Sequence, residues 1–263
     1  MSTPTSASPT SATHPLPDFP LGTEVELLTS APGGLLAFNK PAGVLSHPNM
    51  NSEQHRALLT CEYRLNGECY RWSDAAGTVR HLWLLNRLDS HTSGVILAVL
   101  DNPDLAKAVR ALFLHKHVQK TYHALVFGKP SQAQEVWKDR LEIEKRGGQV
   151  RTKAGHGIPS ESHVRVLRQR KEASPPLALI ELTPRTGRSH QLRVQCAHRR
   201  LPIVGDATYG DFGANRALAK ATGVKRLCLH SHSTRFDYEH EGRTVKFSAV
   251  APTPAAFLQL LTG

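Results

Sequence analysis

From Gly94 to Leu100 the chain reads Gly-Val-Ile-Leu-Ala-Val-Leu, with no polar side chain. An unbroken apolar run this short and rich in β-branched residues suits a strand covered on both faces. Asn102 and Pro103 follow, a capping residue and a proline placed for the first turn of a helix. Leu105, Val109, Leu112 and Phe113 then recur at helical spacing, so that helix buries one face. Leu35–Asn39 reads as a strand that ends at the turn Lys40-Pro41-Ala42-Gly43. Val118–Gly128, His163–Gln169 and Leu177–Thr183 read as further strands. Leu227–Tyr238 with Thr244–Val250 reads as a long hairpin. Helices are expected over Ser52–Leu65, over Ser189–Arg200 and from Pro254 onward. Strands outnumber helices and the two are mixed in order. The fold class is therefore α+β, a mixed, mainly antiparallel sheet flanked by helices.

Met1–Pro20 is rich in Ser, Thr and Pro and has neither Lys nor Arg. It lacks both the charged and the apolar part of a secretory signal, and it reads as a disordered tail. One domain is expected over residues 21–263. The longest apolar run is too short to cross a bilayer, so no membrane role is expected. The 263 residues carry 33 Lys and Arg against 22 Asp and Glu, a formal charge of +11. Such an excess points to a polyanionic partner, most simply nucleic acid. Cys61, Cys69, Cys196 and Cys228 form no CxxC pair and read as free thiols in a reducing compartment.

Three segments could carry chemistry. Asn86-Arg87-Leu88-Asp89-Ser90-His91-Thr92-Ser93-Gly94 places a carboxylate at the entrance of the apolar strand. A turn carboxylate paired with Arg87 is the plainer reading of the same residues. Lys120-Thr121-Tyr122-His123-Ala124 sets Lys120 and Tyr122 on one strand face, where an aromatic can stack on a base while a cation meets phosphate. An ordinary half-buried tyrosine also fits. Arg185-Thr186-Gly187-Arg188-Ser189-His190-Gln191-Leu192-Arg193 leads into a helix, with no acidic residue between Glu181 and Asp206. Guanidiniums and free helix N–H groups together suit an anion, although a solvated basic face has the same composition. His115/His117 and His230/His232 lack a carboxylate or thiolate at ligand spacing, and no HExxH, Walker A, GxGxxG or GxSxG occurs. Neither a metal nor a cofactor is expected.

Taken in order, these segments resemble the RluA family of RNA pseudouridine synthases. The resemblance starts at Phe38-Asn39-Lys40-Pro41-Ala42-Gly43-Val44 with His47-Pro48. It continues through Arg87-Leu88-Asp89 with Thr92-Ser93-Gly94, and through Lys120-Thr121-Tyr122 with Ala124 and Gly128. It then follows Arg185–Arg193, Pro202-Ile203-Val204-Gly205-Asp206 with Tyr209-Gly210, and Arg226-Leu227 with Leu229-His230. The family isomerises uridine to pseudouridine within RNA, without cofactor or metal. The resemblance implies that Asp89 is the catalytic carboxylate, that Tyr122 packs on the target base and that Arg193 pairs with Asp89. A guanidinium suits that pairing because its fork can grip a carboxylate with two bonds. Arg87, Lys120, Arg185, Arg188, His190, Gln191, Arg199 and Arg200 are the candidate RNA contacts. Asn86 stands where the family usually has His, which bears on substrate choice, and Gln195 stands where His is common. The residues before Leu35 are too few for the S4 domain of many relatives, so the catalytic domain is expected to grip RNA by itself. The implied partner is a structured RNA, ribosomal or transfer. A cytoplasmic location is expected from the lack of a targeting signal, and a monomer is the default expectation.

Overall fold

A computed structural model describes residues 16–146 and 149–262, with the side chains of 143–151 outside that description. Most of the predicted tail, Met1–Pro15, therefore lies outside the described residues. Its last residues do not: the Phe19 ring meets Phe38 and Trp72 at 5.7 and 5.8 Å, and Thr60 N donates to Pro20 O at 2.7 Å. The packed body thus includes Phe19 and Pro20.

The first half of the chain gives β1 (Glu26–Ala31), β2 (Leu35–Lys40), β3 (Glu62–Arg64), β4 (Cys69–Ser73), β5 (Val79–Leu84) and β6 (Ser93–Leu100). Helix α1 (Pro103–Leu114) follows, with Asn102 Oδ1 accepting from Leu105 N at 3.0 Å and Leu105, Ala106 and Val109 buried. The second half gives β7 (Gln119–Phe127), β8 (Gln134–Arg146), β9 (Gln149–Ala154), β10 (Ile158–Arg170) and β11 (Leu177–Pro184). Helices α2 (Gln191–His198) and α3 (Phe212–Thr222), the hairpin β12 (Leu229–His240) and β13 (Arg243–Val250), and α4 (Ala255–Thr262) complete it. The thirteen strands join in one sheet whose main path is β3-β4-β5-β6-β12-β7-β11-β10-β8-β9. Among the described residues every strand pairing is antiparallel except that of β6 with β12.

That exception is the seam of the molecule. On one side β6 pairs with β2 from Gly94 to Val99. On its other side β12 takes Ser93 and Gly94, and β5 takes Ala98, Val99 and Leu100. Gly94 has φ +106, and a Cβ there would lie 2.2 Å from Ser231 O. Only glycine fits both the backbone and the close approach. Three apolar clusters fill the described residues, and Tyr122 packs against two of them.

Ser52–Leu65 is not a helix: a 3-10 segment spans Asn51–Arg56, and the chain then extends into β3. Ala57, Leu58 and Leu59 are fully buried, and bridges link Leu45 to Ala57 and Leu21 to Leu59. Tertiary packing overrides local helix preference there. His163–Gln169 is the inner part of the longer strand β10, and α2 starts at Gln191, two residues after Ser189.

Candidate active site

The loop that carries Asp89 is held from beneath by the chain after β2. Ser46 Oγ donates to Leu88 O at 2.8 Å and accepts from Leu88 N at 3.0 Å. Ser90 O accepts from Gly43 N at 2.8 Å and from Lys40 Nζ at 3.0 Å. Lys40 is wholly buried, and its ammonium also donates to Pro41 O and Val44 O at 3.0 and 2.6 Å. Burial, with Arg226 nearby, pulls the Lys40 pKa down to about 7, although Asp89 acts the other way. The residues on either side of Asp89 are thus fixed while its side chain is 37% exposed and open to a ligand.

Asp89, Tyr122 and Arg193 line one cleft of about 510 Å³, together with Lys120, Arg188 and His190. Arg193 NH1 donates to Asp89 Oδ2 at 3.3 Å, and His190 Nε2 lies 3.7 Å from the same oxygen. The two-bonded grip expected on Asp89 goes elsewhere. Arg193 Nε and NH2 donate to Asp206 Oδ2 and Oδ1 at 2.8 and 2.7 Å, and Asp206 is fully buried. Burial alone would raise the Asp206 pKa. The Arg193 hydrogen bonds and charge, with N–H groups of Tyr209 and Thr208, outweigh it and hold the pKa low. The Arg193 guanidinium also lies over the Tyr209 ring at 5.1 Å. Tyr209 OH accepts from Thr152 N at 2.9 Å and meets His190 Nδ1 at 2.9 Å. Burial lowers the His190 pKa, so its ring is neutral at pH 7. Burial pushes the Tyr122 phenol up to about 12, with Asp89 adding to the rise and Ser231 opposing it, so it is protonated at neutral pH.

The candidate RNA contacts divide. Lys120, Arg188 and His190 line the cleft, and Arg185 lines a neighbouring groove. Arg87 is on the rim but is ion-paired with Glu68. Gln191 is buried and braces the loop before α2. Its Oε1 accepts from Thr186 Oγ1 and Arg188 N at 2.7 and 3.1 Å, and its Nε2 donates to Glu161 O and Ser162 Oγ at 3.1 and 3.0 Å. Arg199 is turned to Asp139 at 2.9 Å and lies over the Trp137 ring at 4.7 Å. Neither Arg199 nor Arg200 lines the cleft.

The two departures from the family pattern have local explanations. Asn86 Oδ1 accepts from Leu97 N at 2.8 Å, filling the gap along β6 between β5 and β12. Gln195 is buried and ties α2 to β8 and β10, accepting from Ser162 Oγ at 2.7 Å and donating to Asp139 Oδ2 at 2.9 Å. Asp206, Tyr209, Lys40 and Ser46 were given no role from sequence. Asp206 did carry a signal, being the first acid after the long basic stretch.

A mainly antiparallel sheet whose seam presents a fixed carboxylate beside an arginine and a tyrosine fits enzymes that act on a sugar–base bond. The family profile described as RNA pseudouridylate synthase matches residues 34–198. The chain is 33% identical over 226 residues to tRNA pseudouridine synthase C of Yersinia pestis, covering 82% of each protein. It is 33% identical over 213 residues to tRNA pseudouridine synthase C of Vibrio cholerae, covering 77% of this chain and 81% of that one. Human RNA Pseudouridylate Synthase Domain Containing 4 superposes with a TM-score of 0.62 at 23% identity, covering 89% and 90% of the two chains. The chain belongs to the RNA pseudouridine synthase family, whose members isomerise uridine to pseudouridine in RNA. Among the described residues no helix is long and apolar enough to cross a membrane.

Proposed function

We propose that this protein isomerises uridine in a transfer RNA, with Asp89 as the catalytic carboxylate, Arg193 holding it and Tyr122 packing on the extruded base. The convergence of these three side chains on one cleft carries the reading. The choice of transfer over ribosomal RNA rests on the relatives, which are named for tRNA. A monomer in the cytoplasm goes with this reading.

The reaction breaks the N1–C1′ bond, turns the uracil and joins C5 to C1′. C5 then releases its proton and N1 gains one, so the product is an isomer of the substrate and no co-reactant is required. As the base departs, positive character develops at C1′, and a carboxylate can add to that carbon, stabilise the charge or take a nearby proton. Asp89 Oδ2 faces Arg193 and His190, while Oδ1 has no hydrogen bond from the protein among the described residues. That oxygen is the one available to substrate. Neutral His190 adds no second positive charge to compete for the carboxylate. Extrusion of the base costs a few kcal/mol, and stacking on an aromatic recovers about 1–3 kcal/mol.

The test is release of tritium from RNA labelled at uridine C5, with purified protein and separate pools of tRNA transcripts and ribosomal RNA fragments. The reading predicts release from a tRNA. Release from ribosomal fragments alone would overturn the choice of substrate, and release from neither would overturn the proposed activity.

A further inference from the structure

Past Lys120 and Gly187 the cleft continues into a larger groove of about 1000 Å³. Its walls are the C-terminal end of α1 and the turn after it, the start of β7, the middle of β8, the start of β10, the end of β11 and the loop before α2. Six cations line it: Lys116, Lys120, Lys138, Arg140, Arg185 and Arg188. Only two acids do, and both are engaged. Asp139 is turned to Arg199, His198 and Gln195. Glu161 lies 3.2 Å from His163 and 3.9 Å from Lys138. Among the described residues Lys116, Arg185 and Arg188 have no carboxylate partner.

Lys120 sits where the two cavities join. It is half-buried, 5.9 Å above the Phe113 ring, with no carboxylate partner among the described residues. Leu114 stands in the same groove with 77% of its surface exposed. Unpaired cations beside an aromatic ring and an aliphatic side chain suit a ligand that is charged on one edge and flat and apolar on the other, which is the chemistry of a nucleic-acid strand.

We infer that this groove is the track for the single-stranded segment of substrate RNA on one side of the target uridine. Its phosphates pass over Lys116, Lys138, Arg140 and Arg185, and one flanking base rests on Leu114 and Phe113. The inference rests on the proposed function and adds a requirement to it: nucleotides on that side contribute to recognition. The groove lies outside the cleft around Asp89, so loss of its charges weakens RNA capture rather than the chemical step.

The experiment compares wild type with Lys116→Gln/Lys138→Gln/Arg185→Gln in the tritium-release assay across a salt series. All three side chains are exposed, and thermal unfolding checks that the fold is kept. The expected result is a rise in KM of at least tenfold near physiological salt, with kcat within about twofold. The log KM against log salt slope should fall by about 0.7 for each phosphate contact removed. Lys116→Arg/Lys138→Arg should keep the wild-type KM. A triple variant with wild-type KM and salt slope, beside an active wild type, overturns the groove alone. A wild type that releases no tritium from any RNA overturns the proposed function, and the groove with it.

Discussion

Arg193 grips Asp206 with two hydrogen bonds, at 2.7 and 2.8 Å, and offers Asp89 only one, at 3.3 Å. The buried acid fixes the guanidinium, and the fixed guanidinium presents its NH1 group to Asp89 in the cleft. Breaking a buried pair by removing one charge is costly, about 3–5 kcal/mol. Asp206→Asn should therefore lower the thermal midpoint by several degrees and reduce kcat more than it raises KM. Wild-type kcat in Asp206→Asn would show that Arg193 is positioned without it.

Ser46 holds both backbone groups of Leu88, next to Asp89. Ser46→Ala leaves a buried N–H and a buried C=O without that partner, at about 1–3 kcal/mol for an unsatisfied group. The expected result is a lower unfolding midpoint and a reduced kcat with little change in KM. Unchanged kcat with a lowered midpoint would make Ser46 a purely structural residue.

Tyr122 can be divided into ring and hydroxyl. Tyr122→Phe should keep the affinity for substrate RNA, because the stacking face is intact. Tyr122→Ala should lose about 1–3 kcal/mol of binding. Equilibrium binding of both variants to the same tRNA checks this, and equal affinities for Phe and Ala would remove the base-packing role.

His230 and His123 predict how stability responds to acid. His230 lies between Ser93 Oγ and Ala251 O, at 2.8 and 3.2 Å, and burial, with Arg226 near it, pulls its pKa down to about 4. His123 is pulled to about 4 by burial and by the His232 ring stacked on it at 4.0 Å. Between pH 6.5 and 4 the unfolded chain binds protons at these positions and the folded chain does not. Their contribution is therefore complete above pH 6.5 and is lost on acidification through that window, up to about 3 kcal/mol for His230. Denaturant midpoints at pH 7.0, 5.5 and 4.5 should fall in that order, and less steeply in His230→Gln. A flat profile would contradict the buried, neutral state of both rings.

What the sequence revealed was mostly what is local. The run at Gly94–Leu100 and the Asn102-Pro103 start of α1 depend on neighbouring residues, and both are where the pattern put them. The strand β8 was missed because its inward face interrupts apolar Trp137 and Leu141 with Asp139, while apolar Val136 lies on the exposed face, so the hydrophobic alternation is hidden. The segment after Asn51 misled because Leu58 and Leu59 are held extended by partners distant in sequence. At the site, Asp89, Tyr122 and Arg193 could be named from their motifs. The grip of Asp206 on Arg193 could not, since it depends on how the chain after α2 folds back over that helix. Gln191 and Arg199 look like ligand-binding residues in a basic stretch, yet their side chains hold the protein together.

The most direct test of the account is Asp89→Asn, which keeps the size of the side chain and removes its charge. Wild type and variant would be compared for tritium release from the same C5-labelled tRNA, with RNA binding measured on both. The account predicts complete loss of release by a folded variant that still binds RNA. Release at the wild-type rate would contradict it.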